Sequence, residues 1–404
     1  MAAITFLFSV VSTAIGSVPQ ILILPMTEAY GWEISDFSLA TGLMYCVIAM
    51  TCPFGATLML KFGVSKIVYA AASLEIFGLL FTIFTNERWH LLFGIGFFLG
   101  AASGIIGLSL AATVATRWFS ARRGLVMGIL TSAFAAGQLI FVPFMAWITI
   151  NYDWRFAVLP GLIGATLCGI LFILFSKDWP SELGLPAYGD KKVFQPPKGN
   201  VANILSMTFS ALAHGIKHPA FWTLATTFFI CGLTSVGIVG QHFIPFCADN
   251  NVGMVIASSY LALMGGFNFL GTTASGWLSD RYDNYKLLTI YYGFRGLSLV
   301  YLPYSDFGIY ELTLWAIFFG LDFIATVPPT VKLTGLYFGT VQAPLIFGWI
   351  FAAHQGGAAF AAYGAGVSRD IFITYVPAFV LAGISCFIAS SVIILFRFSK
   401  YRKA

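Results

Sequence analysis

Long apolar runs dominate the chain and are separated by short polar breaks. Six runs precede a polar stretch at 177–217, and six more follow it. An α-helix needs about 20 apolar residues to cross a membrane, so the pattern predicts twelve transmembrane helices. The predicted spans are 2–27, 36–60, 66–85, 89–116, 123–150, 155–176, 219–246, 253–279, 286–304, 310–331, 337–365 and 371–397.

The spacing of these runs also predicts how the chain is divided. We expect an N-terminal six-helix bundle at 1–176, a linker at 177–217 and a C-terminal six-helix bundle at 218–404. The fold class is therefore an all-α polytopic membrane protein with two related halves.

Composition supports a membrane protein. Of the 404 residues, 59% are hydrophobic and 9% are charged, whereas soluble domains carry roughly 25% charged residues. The bilayer must therefore be the solvent for most of the chain. The net charge of +5 does not indicate nucleic-acid binding, because the basic residues are spread over short loops.

Basic residues predict the orientation in the membrane. If the spans alternate in direction, all but four of the 21 Lys and Arg residues lie on the side of the two termini. The exceptions are Arg88, Arg155 and Arg369, which face the other side, and Arg295, which lies within a span. Cytoplasmic loops are enriched in basic residues, so we expect cytoplasmic termini and a location in the cell (inner) membrane.

The two halves show an internal repeat. At an offset of 220 residues, Pro25 matches Pro245. At an offset of 217, the sequence FAAGQ at 134–138 matches FAAHQ at 351–355. Matches at corresponding spans indicate a duplication, which is common among secondary transporters.

The loop between the eighth and ninth spans contains Gly276, Asp280 and Arg281 in the sequence GWLSDR. It resembles the G-x-L-x-D-R signature of the major facilitator superfamily. We expect Gly276 to allow close helix contact and Asp280 to pair with a base and a helix N-terminus, which would latch a gate. A plain solvated loop is the alternative.

The segment RWFSARRG at 117–124 resembles the corresponding segment of the monocarboxylate transporter family and its bacterial relatives. The KDWPSELG sequence at 177–184 adds to this resemblance, which covers nearly the whole chain. The family's functional Asp and Arg in helix 8 fall here on Asn268 and Thr272. The resemblance therefore does not imply proton-linked transport by that pair. Asn268 either binds a substrate or joins two helices.

Ionisable groups within the spans each need a physical reason, because burying one in lipid costs roughly 2.5–3.5 kcal/mol. In the fold that the resemblance implies, helix 10 lines the central cavity and helix 9 lies outside it. We therefore predict a buried ion pair between Arg295 and Asp322. Glu75, in the third span, has no assigned partner.

Polar residues on helices that border the cavity in this fold are the candidate substrate-binding residues. His354 is either a packing residue or a group that titrates near neutral pH. Prolines in helix 10, at 328 and 329, should free backbone carbonyl groups near the site. The predicted substrate-binding residues are Gln20, Gln138, His242, Asn268, His354 and Gln355.

These features predict a secondary active transporter that moves a small organic solute by rocker-switch alternating access. The family resemblance implies an organic anion such as a monocarboxylate. The sequence has no nucleotide-binding loop, catalytic cluster or metal cluster, so we expect no enzyme activity, cofactor or metal. The expected partners are the substrate, the lipid bilayer and protons as a candidate coupling ion, with the protein as a monomer.

Two alternatives remain for the function. The first is export of drug-like or siderophore-like compounds. A G-x-x-x-G-P pattern in helix 5 would support this hypothesis. The glycines of this helix, Gly128 and Gly137, are not followed by a proline in that pattern. The second is a non-transporting membrane sensor, which ordinarily carries an added signalling segment.

Overall fold

A computed structural model describes residues 1–193 and 202–401. Within these residues the chain folds into twelve long helices, which we number in chain order. They are α1 (Ala2–Tyr30), α2 (Ile34–Phe62), α3 (Val64–Ile83), α4 (Arg88–Trp118), α5 (Leu125–Asn151), α6 (Trp154–Phe175), α7 (Pro219–Asp249), α8 (Met254–Ser279), α9 (Asn284–Tyr301), α10 (Ile309–Gly339), α11 (Gln342–Phe372) and α12 (Val376–Arg397).

Eleven of the described helices are long and apolar enough to cross a membrane. The remaining one, α9, has 18 residues and carries Lys286 and Arg295, which make it less apolar. It packs against α10 and α12. The predicted all-α polytopic membrane fold is confirmed.

Side chains at several helix starts bind backbone N–H groups that have no partner within the helix. The Asp153 carboxylate accepts from the Arg155 N–H at 2.8 Å in α6. The Asp283 carboxylate accepts from the Tyr285 N–H at 2.8 Å in α9. Such caps stabilise a helix start by about 0.5–2 kcal/mol. These two carboxylates therefore stabilise the starts of α6 and α9.

The predicted boundaries of the last three helices were wrong by several residues. The turn between α10 and α11 lies at Gly339, whose φ of 72° is in the left-handed region that glycine adopts readily. Helix α11 then runs through Arg369 and Asp370 to Phe372 instead of ending at 365. Both charged residues are helical, and their side chains have partners, since Arg369 Nε donates to Asp249 Oδ2 at 2.6 Å and the Asp370 carboxylate accepts from the Ser35 N–H at 2.8 Å.

The linker between the halves contains its own helix, Ala202–Gly215, which we call the linker helix. It packs where α2 and α11 meet. The indole N–H of Trp349 donates to the Thr208 carbonyl at 2.9 Å, and the Thr57 and Thr208 hydroxyl oxygens lie 3.3 Å apart. The linker helix thus contacts both halves.

The two halves meet along two pairs of helices, α2 with α11 and α5 with α8. On the face opposite the termini, the Asp370 carboxylate accepts from the N–H groups of Ile34 at 3.3 Å and Ser35 at 2.8 Å. The Gln241 amide also donates to the Tyr45 hydroxyl at 2.6 Å. Hydrogen bonds therefore join the two halves on this face.

Candidate functional site

Helix α10 is interrupted in its middle. The first segment ends at Asp322, a turn covers 323–326, and the helix resumes at Val327. Pro328 and Pro329 have no N–H group, so they cannot donate to the carbonyls of Ile324 and Ala325 four residues earlier. The Ala325 carbonyl instead accepts from the Ser275 hydroxyl of α8 at 2.5 Å. The Ile324 carbonyl accepts from the Val327 N–H at 3.0 Å, so the prolines leave the Ala325 carbonyl to a neighbouring helix.

Arg295 of α9 holds this break from the other side. Its Nε donates to Asp322 Oδ2 at 2.6 Å. Its Nη2 donates to the backbone carbonyls of Asp322 at 2.5 Å and Phe323 at 3.2 Å, and its Nη1 contacts Cys231 Sγ at 3.0 Å. The structure therefore places the predicted ion pair in direct contact. It also gives Arg295 a second role, because the guanidinium caps a broken helix.

A small cavity lies between the two halves beside this break. Its volume is about 10 Å³, room for about one water molecule. Three residues predicted to bind substrate, Gln20, Gln138 and Asn268, all line it. They belong to α1, α5 and α8, so both halves contribute. The remaining lining residues are Gly240, Leu261, Met264, Gly265 and Phe323.

Asn268 has a partner on its own helix, because the Thr272 hydroxyl donates to its side-chain oxygen at 3.0 Å. The resemblance places a functional Asp and Arg at these two positions, where this chain has two uncharged side chains. Gln138 lies close to α8, since its Cβ would be 3.7 Å from a Cβ built on Gly265. The amides of α5 and α8 therefore face the same narrow space.

The other three predicted binding residues lie outside the lining of this cavity. Both ring nitrogens of His242 have protein partners, the Ala362 carbonyl at 2.7 Å and the Tyr375 hydroxyl at 3.3 Å. The His354 ring packs against Phe228 and Phe351 at centroid distances of 4.7 and 5.5 Å. Gln355, the repeat mate of Gln138, is buried, and its side-chain oxygen has no hydrogen-bond partner among the described residues. A substrate contact at these three residues stays a prediction.

The loop between α8 and α9 shows part of the expected latch. The Asp280 carboxylate pairs with Lys332 of α10, and this ammonium lowers the pKa of Asp280. Arg281 lies over the Trp277 ring at 4.1 Å. The expected close helix contact at Gly276 is wrong, because no neighbouring atom lies within 4 Å of a Cβ built there. The loop thus joins α8 to α10 through charge and not through tight packing at its glycine.

Glu75 of α3 is buried in the N-terminal half. Its Oε1 accepts from the Ser12 hydroxyl of α1 at 2.5 Å. Its Oε2 has no hydrogen-bond partner within the described parts of the chain. The carboxyl group is therefore held by one neutral donor. Arg295, which follows Glu75 by the same offset of 220 residues as Pro245 follows Pro25, is instead ion-paired.

Two helical halves that enclose a small polar cavity form the architecture of a secondary transporter. Comparison with known families agrees with this architecture. The sequence model of the Major Facilitator Superfamily matches residues 2–362. The chain belongs to the Major Facilitator Superfamily.

The chain is similar to the uncharacterized MFS-type transporter YcxA of Bacillus subtilis (strain 168). The two are 26% identical over 379 residues, which cover 91% of this chain and 87% of YcxA. It is also 26% identical to monocarboxylate transporter 13 of Rattus norvegicus, over 85% of this chain and 75% of that protein. The partially occluded, inward open structure of the xylose transporter XylE from E. coli shares the fold. Its TM-score is 0.70 at 14% identity, covering 98% of this chain and 97% of XylE.

Proposed function

We propose that this protein is a secondary active transporter for a small organic anion, such as a monocarboxylate, and works by alternating access. The observation that carries the proposal is the meeting of Gln20, Gln138 and Asn268 in one cavity between the halves. A solute bound there touches both halves, so a rocking motion of one half against the other would expose it to alternate sides of the membrane.

The cavity lining supports a short carboxylate. Side-chain amides can donate N–H groups to carboxylate oxygens, while Leu261, Met264 and Phe323 offer an apolar wall to a short alkyl body. The similarity to a monocarboxylate transporter points to the same substrate class.

Charge considerations favour movement of the anion together with a proton. The residues that line the cavity are all uncharged, and an uncompensated charge within the membrane is costly. A carboxylate and a proton together form a neutral load that such a cavity can hold. We therefore propose solute–proton symport.

We also propose that the protein is a monomer in the cell (inner) membrane, with both termini and the linker in the cytoplasm. The orientation rests on the excess of basic residues on the side of the termini. Reporter fusions at Lys192 and Arg88 should report opposite sides. The same signal from both positions would contradict this topology.

The substrate class is tested by uptake of labelled straight-chain carboxylates, from acetate to hexanoate, into proteoliposomes with and without an imposed pH gradient. We expect accumulation that increases when the outer solution is more acidic. Hydrogen bonds to a charged group contribute about 1.5–3 kcal/mol, so Gln138→Ala or Asn268→Ala should lower the apparent affinity about tenfold or more.

Asn151→Ala is the matched control, because Asn151 is an exposed amide at the end of α5 that donates to the Trp147 carbonyl. It should transport like the wild type. Uptake of no carboxylate by the wild-type protein would contradict the proposal. Equal uptake by the Gln138 and Asn268 variants would refute the assigned site.

A further inference from the structure

A groove lies between α9 and α12, at the ends of these helices that are on the side of the termini. Its volume is about 310 Å³, whereas the cavity between the halves has about 10 Å³. The residues that line the groove are Lys286, Thr289 and Ile290 of α9 and Ile394 and Arg397 of α12. Two basic and two apolar side chains therefore share one opening, separate from the cavity between the halves.

Contacts between α9 and α12 bound the groove at both ends. At one end, Arg397 Nη2 pairs with Asp283 Oδ2 at 2.8 Å. At the other end, the Ser390 hydroxyl donates to the Thr289 carbonyl at 3.1 Å. The space between these two contacts is therefore held open by the packing of the helix pair.

The apolar part of the groove faces the lipid. Ile290 and Ile394 are 49% and 37% exposed, and Phe294, one turn further along α9, is 66% exposed. Apolar side chains exposed on a membrane helix lie against the acyl chains of the bilayer. Long basic side chains at helix ends instead reach the headgroups. The groove is thus basic at the level of the headgroups and apolar below it.

The groove has an excess of positive charge. Lys286 makes no ion pair with any of the described residues, while Arg397 is paired with Asp283, so one positive charge is left over. Three more basic residues follow Arg397 in the sequence, Lys400, Arg402 and Lys403. Basic clusters next to a membrane helix attract anionic lipids, and basic pockets between membrane helices bind lipid headgroups.

The length of α9 adds a reason for a lipid at this position. This helix has 18 residues, which at 1.5 Å per residue span about 27 Å. The hydrocarbon core of a bilayer is about 30 Å thick. Lys286 is the third residue of α9, so its ammonium lies close to the boundary of that core. A lipid phosphate would supply the counter-charge that a cation at this depth requires.

We propose that the groove between α9 and α12 binds one anionic phospholipid from the leaflet on the side of the termini. Lys286 and Arg397 bind the phosphodiester of its headgroup, and Ile290 and Ile394 contact the first part of its acyl chains. The inference goes beyond the proposed transport function and does not depend on the identity of the solute, because the groove is separate from the cavity between the halves.

Native mass spectrometry of the full-length protein in detergent tests this site, with phosphatidylglycerol and the zwitterionic phosphatidylcholine as probes. One basic residue near an anionic lipid contributes about fivefold in affinity. The wild type should therefore bind phosphatidylglycerol at least about fivefold more tightly than phosphatidylcholine, and Lys286→Gln should lose about fivefold in affinity for phosphatidylglycerol. Asp283→Asn removes the competing carboxylate and keeps a side chain that can cap α9, so it should bind phosphatidylglycerol more tightly.

Lys66→Gln is the matched control. Lys66 precedes Lys286 by the repeat offset of 220 residues, is exposed near the start of α3 and does not line the groove. This variant should bind phosphatidylglycerol like the wild type, and an equal loss in Lys66→Gln and Lys286→Gln would overturn the assigned site.

Three other results would also overturn the proposal. They are equal wild-type affinity for the two lipids, unchanged affinity in Lys286→Gln, and weaker binding of phosphatidylglycerol by Asp283→Asn. Soluble glycerol 3-phosphate separates the lipid from a free phosphate, since it has the phosphate but no acyl chains. It should bind at least tenfold more weakly than phosphatidylglycerol. Equal binding would assign the groove to a soluble anion and overturn the lipid site.

Discussion

Replacement of Asp322 by Asn should destabilise the protein more than replacement of both members of its ion pair. The Arg295 side chain is fully buried, and Asp322 is 12% exposed. Asp322→Asn keeps the shape of the side chain but leaves the guanidinium without a counter-charge. Breaking a buried pair by removal of one partner costs about 3–5 kcal/mol.

Two double variants separate charge from hydrogen bonding. Arg295→Leu/Asp322→Leu removes both charges but leaves the Phe323 carbonyl without its Arg295 donor, at a cost of about 1–3 kcal/mol for one buried unsatisfied group. Arg295→Gln/Asp322→Asn removes both charges and retains an amide that can donate to the break. We expect stability to fall in the order wild type, Gln/Asn, Leu/Leu and Asp322→Asn alone.

The assay is the melting temperature of the detergent-solubilised protein, measured as the fraction that remains monodisperse after heating to each temperature. Asp322→Asn should melt several degrees below the wild type, and each double variant should recover part of the loss. A single variant as stable as the wild type, or a Leu/Leu variant less stable than Asp322→Asn, would refute the reasoning. The first result would mean that the charge is compensated elsewhere, and the second that the carbonyl contacts dominate.

Three further predictions concern other parts of the protein. Asp370→Asn should speed hydrogen exchange at the start of α2, because a neutral amide binds the Ile34 and Ser35 N–H groups less strongly than the carboxylate does. Unchanged exchange would contradict the role of Asp370 in one half as the cap of a helix in the other half. Lys332 lowers the pKa of Asp280, so ionised Asp280 should stabilise the folded loop at pH values above the usual carboxyl pKa of about 4. This stabilisation should be lost as the pH falls below that value and Asp280 becomes protonated. The difference in melting temperature between wild type and Asp280→Asn should therefore be constant at neutral pH and vanish in acid, and a difference that grows in acid would show the wrong sign. Glu75→Gln should match or exceed the wild type in melting temperature. The Glu75 carboxyl is buried against the Ser12 hydroxyl, and a glutamine amide in its place carries no charge that must be desolvated. A large drop in melting temperature would indicate a cationic partner for Glu75.

The sequence by itself determined the architecture. Backbone groups in lipid must be satisfied within each segment, so a membrane helix is specified by its own run of apolar residues. The length of those runs therefore identified the helices without knowledge of their neighbours. It failed by several residues at the C-terminal end of α11, because the helix continues through Arg369 and Asp370, past the end of its apolar run, and arginine is a good helix former.

The site depended on tertiary structure. Gln138 and Gln355 are equivalent in the sequence repeat, yet Gln138 lines the cavity and Gln355 does not. The prolines at 328 and 329 revealed that α10 would release a carbonyl group, but not that Ser275 of α8 would bind it, nor that Arg295 of α9 would bind the neighbouring Phe323 carbonyl. Which face of a helix meets which neighbour is set by packing between the helices, and the sequence of a single apolar segment contains little information about that rotation.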